Sequence, residues 1–552
     1  MRPNLRESVL ASLFLVAAAC GGGKKDAEKP AEGKAPVAEA PGPAAQALPQ
    51  IPSAPAPVPA TVLAALSVGD PQGQLTSMAS YADAVQPGFG AMMAPAQLLQ
   101  GAASVVGAPG LDGADLSKPM HLLLLDPQKG GGQSLLVVAV ADEQKMAGTV
   151  GGGATMQVHG GYAAIGSGAA LQAASPYALS NLAKTSPPKN PHATIYVNRI
   201  MESYGPQLDA QLRMSMGQNP KAAEKKMAEG LVTLLGSIER IEGDLEASGQ
   251  VATASFAVHP AKGSALARWS GMQKPSDYTV ASRLPAGSWL LVAAGRIDYG
   301  PLTGFMSDMA TAQGKPEMAE WMGVFGQEVA LALLAKEDKT VRVAGLVAVS
   351  DAKKLGGLIS AYVAKMAAQP TPMNSMEVTA KANAYKTGGA SLHGITVKPS
   401  AQTPDEEKKE FEKVYGKAGI KSYFGVAGDW MVFSLDKDKP AKGLAAKLVQ
   451  GSKSKQPKSS LAQSFEKALA DSKTRNESGL MVFDLSAVAS DPSAAKGAEV
   501  AVGLGFEGPV MRSRITIPPA TLRFFVQQRM GGGQPAQPPP PPAAGGKKKK
   551  AR

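Results

Sequence analysis

Short apolar runs bounded by Gly, Pro and Asp recur along residues 59–530, and each reads as a β-strand. The plainest is Met511 to Ile517. Met511, Ser513, Ile515 and Ile517 alternate there with Arg512, Arg514 and Thr516, the pattern of a half-buried strand with one wet face. A second strand stretch runs from Glu246 to Val258. The clearest helix is predicted over 220–242. Asn219 caps it, Pro220 takes its first turn, Gly243 follows its end, and Met227, Leu231, Leu234, Leu235, Ile238 and Ile241 share one face. Asp142 and Asp351 each end a strand where a helix N-cap is wanted, and a capping role accounts for both.

The pattern occurs twice. Pro59 to Leu63 resembles Pro285 to Leu290, and His121 to Leu125 corresponds to Ala330 to Leu334. Val138 to Met146 matches Val347 to Leu355, the best of the series. Gly161 to Ser167 pairs with Gly428 to Ser434, and Thr194 to Asn198 with Leu480 to Asp484. The five matches keep their order, and the second copy is longer through an insertion around 376–420. Each copy reads as strand, helical stretch, two strands, helix, two strands, helix, strand. The expected fold is α+β: two tandem homologous domains of largely antiparallel sheet with packed helices, over 59–272 and 273–530.

The ends differ in composition. Residues 20–58 are an Ala/Pro-rich linker able to extend roughly 120 Å at about 3.1 Å per residue. Residues 531–552 form a Pro/Gly/Lys tail that is expected to be disordered. Residues 1–19 carry Arg2 and Arg6, an apolar run from Val9 to Ala19, and small residues up to Cys20, the layout of an export signal. The run is about half of the roughly 20 residues needed to span a bilayer. Ala17-Ala18-Ala19-Cys20 resembles a lipobox, although Ala17 stands where Leu is commoner. The resemblance implies a bacterial lipoprotein, cleaved before Cys20 and acylated on it, palmitate included. Gly21, in place of Asp, favours the outer over the inner membrane under the enterobacterial sorting rule. The Leu284-Pro285-Ala286-x-x-Trp289-Leu290 stretch and the run Gly425 to Val432 are similar to those of large uncharacterised exported proteins and lipoproteins of bacteria. These are strand and turn signatures and imply no activity.

Cys20 is the sole cysteine, so its acylation would leave no thiol for a disulfide or a thiolate metal site. The net charge of +12 is uneven. Lys547, Lys548, Lys549, Lys550 and Arg552 supply +5, which makes the high pI partly a property of the tail and no argument for nucleic acid. That tail is a candidate contact for anionic envelope polymer or lipopolysaccharide.

Catalytic signatures are weak. His121, His159, His192, His259 and His393 are far apart in sequence and read as ordinary surface or turn histidines. Gly503-Leu504-Gly505-Phe506-Glu507-Gly508 has dinucleotide spacing, but Pro509 and an Arg-rich strand follow where a helix is required, so a bulge or hairpin explains the glycines. Gly130 to Gly132 and Gly151 to Gly153 read as hairpin loops between strands. Gly389 to His393 lacks the last Gly of a nucleophile elbow. Ser350 to Lys353 marks a helix start, and acidic residues 405–412 a solvated helix. Trp289 and Trp430 are expected in the core. No cofactor, metal or protein partner is readable. The expectation is a non-catalytic envelope lipoprotein, a structural or binding module on a membrane tether. The alternatives are a carrier of a lipid or apolar ligand between the two copies, and an envelope hydrolase with an unrecognised site.

Overall fold

The computed structural model describes residues 48–529, save 131, 216–221, 301–319, 322, 336–339, 369–370, 374–375, 455–460, 488 and 490–494. β1 (Val62–Val68) leads into α1 (Pro71–Val85), where Pro71 takes the first turn and the Asp70 side chain accepts from the Gly73 N–H. α2 (Pro95–Val106) precedes β2 (Met120–Leu125) and β3 (Ser134–Ala139). α3 (Glu143–Thr149) is followed by the hairpin of β4 (Thr155–His159) and β5 (Tyr162–Gly166), then α4 (Gly168–Ser180) and β6 (His192–Ile195). α5 (Val197–Ser215) and α6 (Ala222–Gly236) come before β7 (Ile238–Ala247), β8 (Ala252–Pro260) and α7 (Ala265–Met272).

β9 (Leu291–Arg296), β10 (Phe325–Ala335), β11 (Val341–Val349) and α8 (Ala352–Ala368) begin the second half. The longer middle holds β12 (Thr371–Met373), β13 (Met376–Thr387), β14 (Ala390–Pro399) and α9 (Asp405–Tyr415). β15 (Ile420–Ala427), β16 (Trp430–Asp436), α10 (Asp438–Lys453) and α11 (Gln463–Thr474) follow. β17 (Glu477–Asp484), β18 (Glu499–Glu507), β19 (Val510–Ile517) and α12 (Pro519–Arg529) close the chain.

The fold is α+β, built on one large antiparallel sheet of nineteen strands among the described residues. The pairings place β4, β5, β3, β2, β1, β6, β7 and β8 side by side. β19, β18, β17, β9, β10, β11, β16 and β15 continue from β8, and β14, β13 and β12 extend the far edge. The order therefore mirrors itself about a seam. At that seam β8 and β19 pair from Val258–Met511 to Ala252–Ile517.

Both flanks are covered on both faces. β3 is buried throughout, as a short Val/Leu run predicts. On one face Leu123, Leu135 and Val137 pack against Leu171, Ala174 and Leu179 of α4. On the other, Leu136, Val138 and Ile165 meet Ala103 and Val106 of α2 and Met146 of α3. In the second half Leu346 and Val432 pack under Leu444 and Leu448 of α10, with Phe465 of α11 and Trp289. Leu355, Ile359 and Val363 of α8 cover the opposite face. Trp430 packs partly buried on this core, under the Arg283 guanidinium.

Several expectations are corrected. The helix over 220–242 stops at Gly236, and Ile238 and Ile241 belong to β7. Asn219 and Pro220 lie outside the described residues. The stretch from Glu246 to Val258 is the end of one strand, a turn and most of the next. Gly151 to Gly153 join α3 to β4 and are not a hairpin between strands. The hairpins β4–β5 and β15–β16 correspond when Tyr162 is set on Trp430, one residue from the sequence match.

The last part of the linker is docked. Ile51, Ala56 and Val58 pack on the α4 face, the Ala56 N–H donates to Ser180 Oγ at 3.0 Å, and Gln157 Nε2 donates to the Pro49 carbonyl at 2.7 Å. Cys20 and the tail cations lie outside the described residues. No described helix is long and apolar enough to cross a membrane.

Candidate binding face

Near the seam α5 and α7 cover one face of the sheet, and its two faces become chemically different. One row can be followed strand by strand outward from the seam pair Ser255–Arg514. In the first half it runs Asp244, His192, Ser67, His121, then Val137. In the second it runs Gly503, Leu480, Ala294, Ala330, then Leu346. The corresponding positions are polar on one side and core on the other. The cause is local. In the second half α11 brings Phe465 over Leu480. In the first half the chain between α4 and β6 forms only a 3₁₀ turn, Leu182–Lys184, and a loop.

Three of the five histidines, separate in sequence, thus share one face. His121 Nδ1 lies 2.8 Å from Ser67 Oγ. The residue is 1% exposed, its Nε2 has no partner, and burial pushes its pKa down to about 4. His192 Nδ1 lies 2.8 Å from Asp244 Oδ1. His259 Nε2 lies 2.9 Å from Glu242 Oε2, and Arg240 Nε donates to Glu242 Oε1 at 2.8 Å. Burial pushes the Glu242 carboxyl up, but the hydrogen bonds from Arg240 and His259 outweigh it and hold the carboxyl below its usual range. Of the others, His159 ends β4 and His393 is buried in β14.

In the second half, beside the seam, Arg514 of β19 reaches over β18 to Glu477 of β17 through Nε–Oε1 at 3.1 Å and Nη2–Oε2 at 3.3 Å. Glu477 also accepts from Ser472 Oγ at 2.6 Å, and Tyr278 OH lies 2.7 Å from the same hydroxyl. Gly503 makes room for this carboxylate: a Cβ there would sit 2.3 Å from Glu477 Oε2. The G-x-G-x-x-G run is thus a strand and its hairpin, with Gly508 at φ 55°.

Ser67 and His121 form a serine–histidine pair, but an imidazole with a pKa near 4 is a weak base near neutral pH. Asp142 and Asp351 are caps, accepting from the N–H of Lys145 at 3.0 Å and of Lys354 at 2.8 Å. Among the described residues no group of three or more His, Cys, Asp or Glu side chains is placed to hold a metal ion.

The opposite face is apolar. Leu124, Ala64, Ile195 and Ile241 form one cross-strand row, and Leu122, Leu66 and Ala193 the next. Leu66 is 40% and Leu124 45% exposed, and Ile195 and Met481 are exposed as well. Leu266 and Trp269 of α7 cover Val258 and Met511, and Trp269 meets Phe506 edge-on at 5.6 Å. Between Leu66 on β1 and Met481 on β17 lie six strand steps, about 30 Å at roughly 4.8 Å each. Over that width the face is apolar, exposed at Leu66, Leu124, Ile195 and Met481 and covered at Val258 and Met511.

No protein-family model matches the chain, and comparison with curated proteins returns no match.

Proposed function

We propose that the chain is a bacterial envelope lipoprotein, anchored through acylated Cys20, whose folded part is a non-catalytic binding module. The half-exposed apolar face carrying Leu66, Leu124 and Ile195 is the observation that carries the binding role. The outer membrane is the proposed address, on the strength of Gly21. Mass spectrometry of the mature N-terminal peptide, with fractionation of a Cys20→Ala variant, tests the anchor. An unmodified Cys20 in a soluble mature protein would end it.

The two halves are proposed to be homologous repeats, 59–272 and 273–530. The mirrored strand order, the matching caps at Asp142 and Asp351, and the buried Met146 and Leu355 that follow them support a duplication. The seam is then an edge pairing of the last strand of each repeat.

A second reading, a carrier of an apolar ligand, is favoured by the same exposed leucines. Its site would be the open sheet face, since the halves are joined by a hydrogen-bonded ladder. A fluorescent acyl probe should then bind saturably to the wild type. Binding should be lost in a folded Leu66→Glu/Ile195→Glu variant, and unsaturable binding would count against a carrier.

A further inference from the structure

α10 has a buried and an exposed stripe of opposite character. Ala441, Leu444, Ala445, Leu448 and Val449 are its core side. Its exposed positions are Lys439, Gly443, Lys447, Gln450 and Lys453. They are spaced by three and four residues, so they share one face, about 21 Å long at 1.5 Å per residue. Asp438, the only acid of α10, is already engaged: it accepts from Tyr423 OH and from Lys442 Nζ at 2.9 Å. α10 packs chiefly on β11, β13, β15, β16 and the 3₁₀ turn Ala281–Arg283. These elements carry two acids, and both have cations. Arg342 Nε donates to Asp436 Oδ2 at 2.7 Å, and Lys398 Nζ lies 3.7 Å from Glu377 Oε2.

The fold does not require these cations. α4, which follows the corresponding hairpin in the first half, has no charged residue from Gly168 to Ser180. Beside the C-terminal half of the α10 stripe lies a groove of about 400 Å³, closed on its other side by the β13–β14 turn. Thr387, Gly388, Lys447, Val449, Gln450 and Lys453 line it, and no acid does among the described residues. Gly388 and Gly389 make the turn at φ 51° and 76°, the left-handed region that a two-residue hairpin of this kind needs at both positions. Their N–H groups lie outside the ladder, which ends at the pair Thr387–Ala390. Lys453 Nζ donates to the Gly388 carbonyl, which fixes one ammonium at the rim and leaves two of its three donors for a ligand. Ammonium groups that meet amide and hydroxyl donors, with no carboxylate competing, suit the oxygens of a phosphate group.

We infer that the groove between α10 and the β13–β14 turn is a phosphate site. Lys447 and Lys453 are its cations, and Lys439, about 12 Å from Lys447 along the helix, meets a second phosphate of the same ligand. The site lies on the sheet face opposite the exposed leucines and does not rest on the binding role given to them.

The experiment reads each lysine separately. The full chain with Cys20→Ala is acetylated with and without tripolyphosphate at about 0.15 M salt, and the modified peptides are quantified by mass spectrometry. Acetylation of Lys447 and Lys453 should slow at least roughly threefold, while that of Lys353 and Lys354 on α8 should not change. Lys447 is exposed, so Lys447→Gln should leave the thermal transition intact and abolish the protection of Lys453. Vesicles of phosphatidylcholine with about one third phosphatidylglycerol replace tripolyphosphate in a second arm. Protection of the same two lysines there would make the phosphate that of a lipid headgroup, and protection by tripolyphosphate alone would make it that of a soluble compound. No protection of Lys447 and Lys453 in either arm overturns the proposal. Equal protection of all four lysines, or protection of Lys453 that survives Lys447→Gln, reduces the stripe to a solvated face and also overturns it.

Discussion

Acid should unfold this protein partly through one residue, His121. Its imidazole is buried between β1 and β3, beside Ser67, with Nε2 unpartnered, and its pKa falls from the usual 6.5 to about 4. The folded state therefore binds fewer protons than the unfolded chain between those values. Stability from this group is whole above about pH 6.5, declines as pH falls towards 4, and declines no further below that. A shift of about 2.5 units at 1.36 kcal/mol each is worth roughly 3 kcal/mol, a large share of a typical 5–15 kcal/mol. The assay is urea unfolding, followed by circular dichroism, of the wild type and His121→Ala near pH 7.5, 5.5 and 4. Ala is the residue at the corresponding position 330, and it removes the titrating group. Carboxylates titrate alike in both proteins, so the difference between them isolates the histidine. The wild type should lose roughly 3 kcal/mol more than the variant across that range. Equal losses would refute the reasoning and mean that His121 is solvated or paired.

Three further outcomes are expected. Trp289→Ala should cost about 3–5 kcal/mol and lower Tm, because the side chain is fully buried and Nε1 donates to the Pro285 carbonyl at 2.9 Å. Asp142→Ala and Asp351→Ala should each cost about 1 kcal/mol in urea unfolding, since the two caps have the same geometry, and a large inequality would weaken their equivalence. Glu477→Ala should cost about 3–5 kcal/mol in the same assay by leaving Arg514 unpaired in a nearly buried site, whereas a neutral effect would show that water replaces the carboxylate.

Local features were legible in the sequence and non-local ones were not. Asp142 and Asp351 were readable because a cap acts within a few residues of itself. The strand Met511 to Ile517 was readable because alternation is a local period, and its Arg512–Arg514 face is the polar one. The helix over 220–242 was overrun because Ile238 and Ile241 sit at helical spacing, while the alternation of Arg240, Glu242, Asp244 and Glu246 begins after an irregularity at 238–240. Residues 48–58 have a linker's composition, and what docks them is non-local: three apolar side chains on the α4 face and hydrogen bonds to Ser180 and Gln157. The row of His121, Ser67, His192 and Asp244 depends on β1 lying between β2 and β6, and no spacing in the sequence encodes that order.

The most direct test of the binding role is photo-cross-linking in intact cells. A photoreactive residue is placed at Leu66 or Ile195 on the apolar face, and at the exposed Lys353 as a control. The account predicts adducts of discrete mass at 66 and 195 and none at 353. No adduct at any position, or the same adducts at all three, would contradict it.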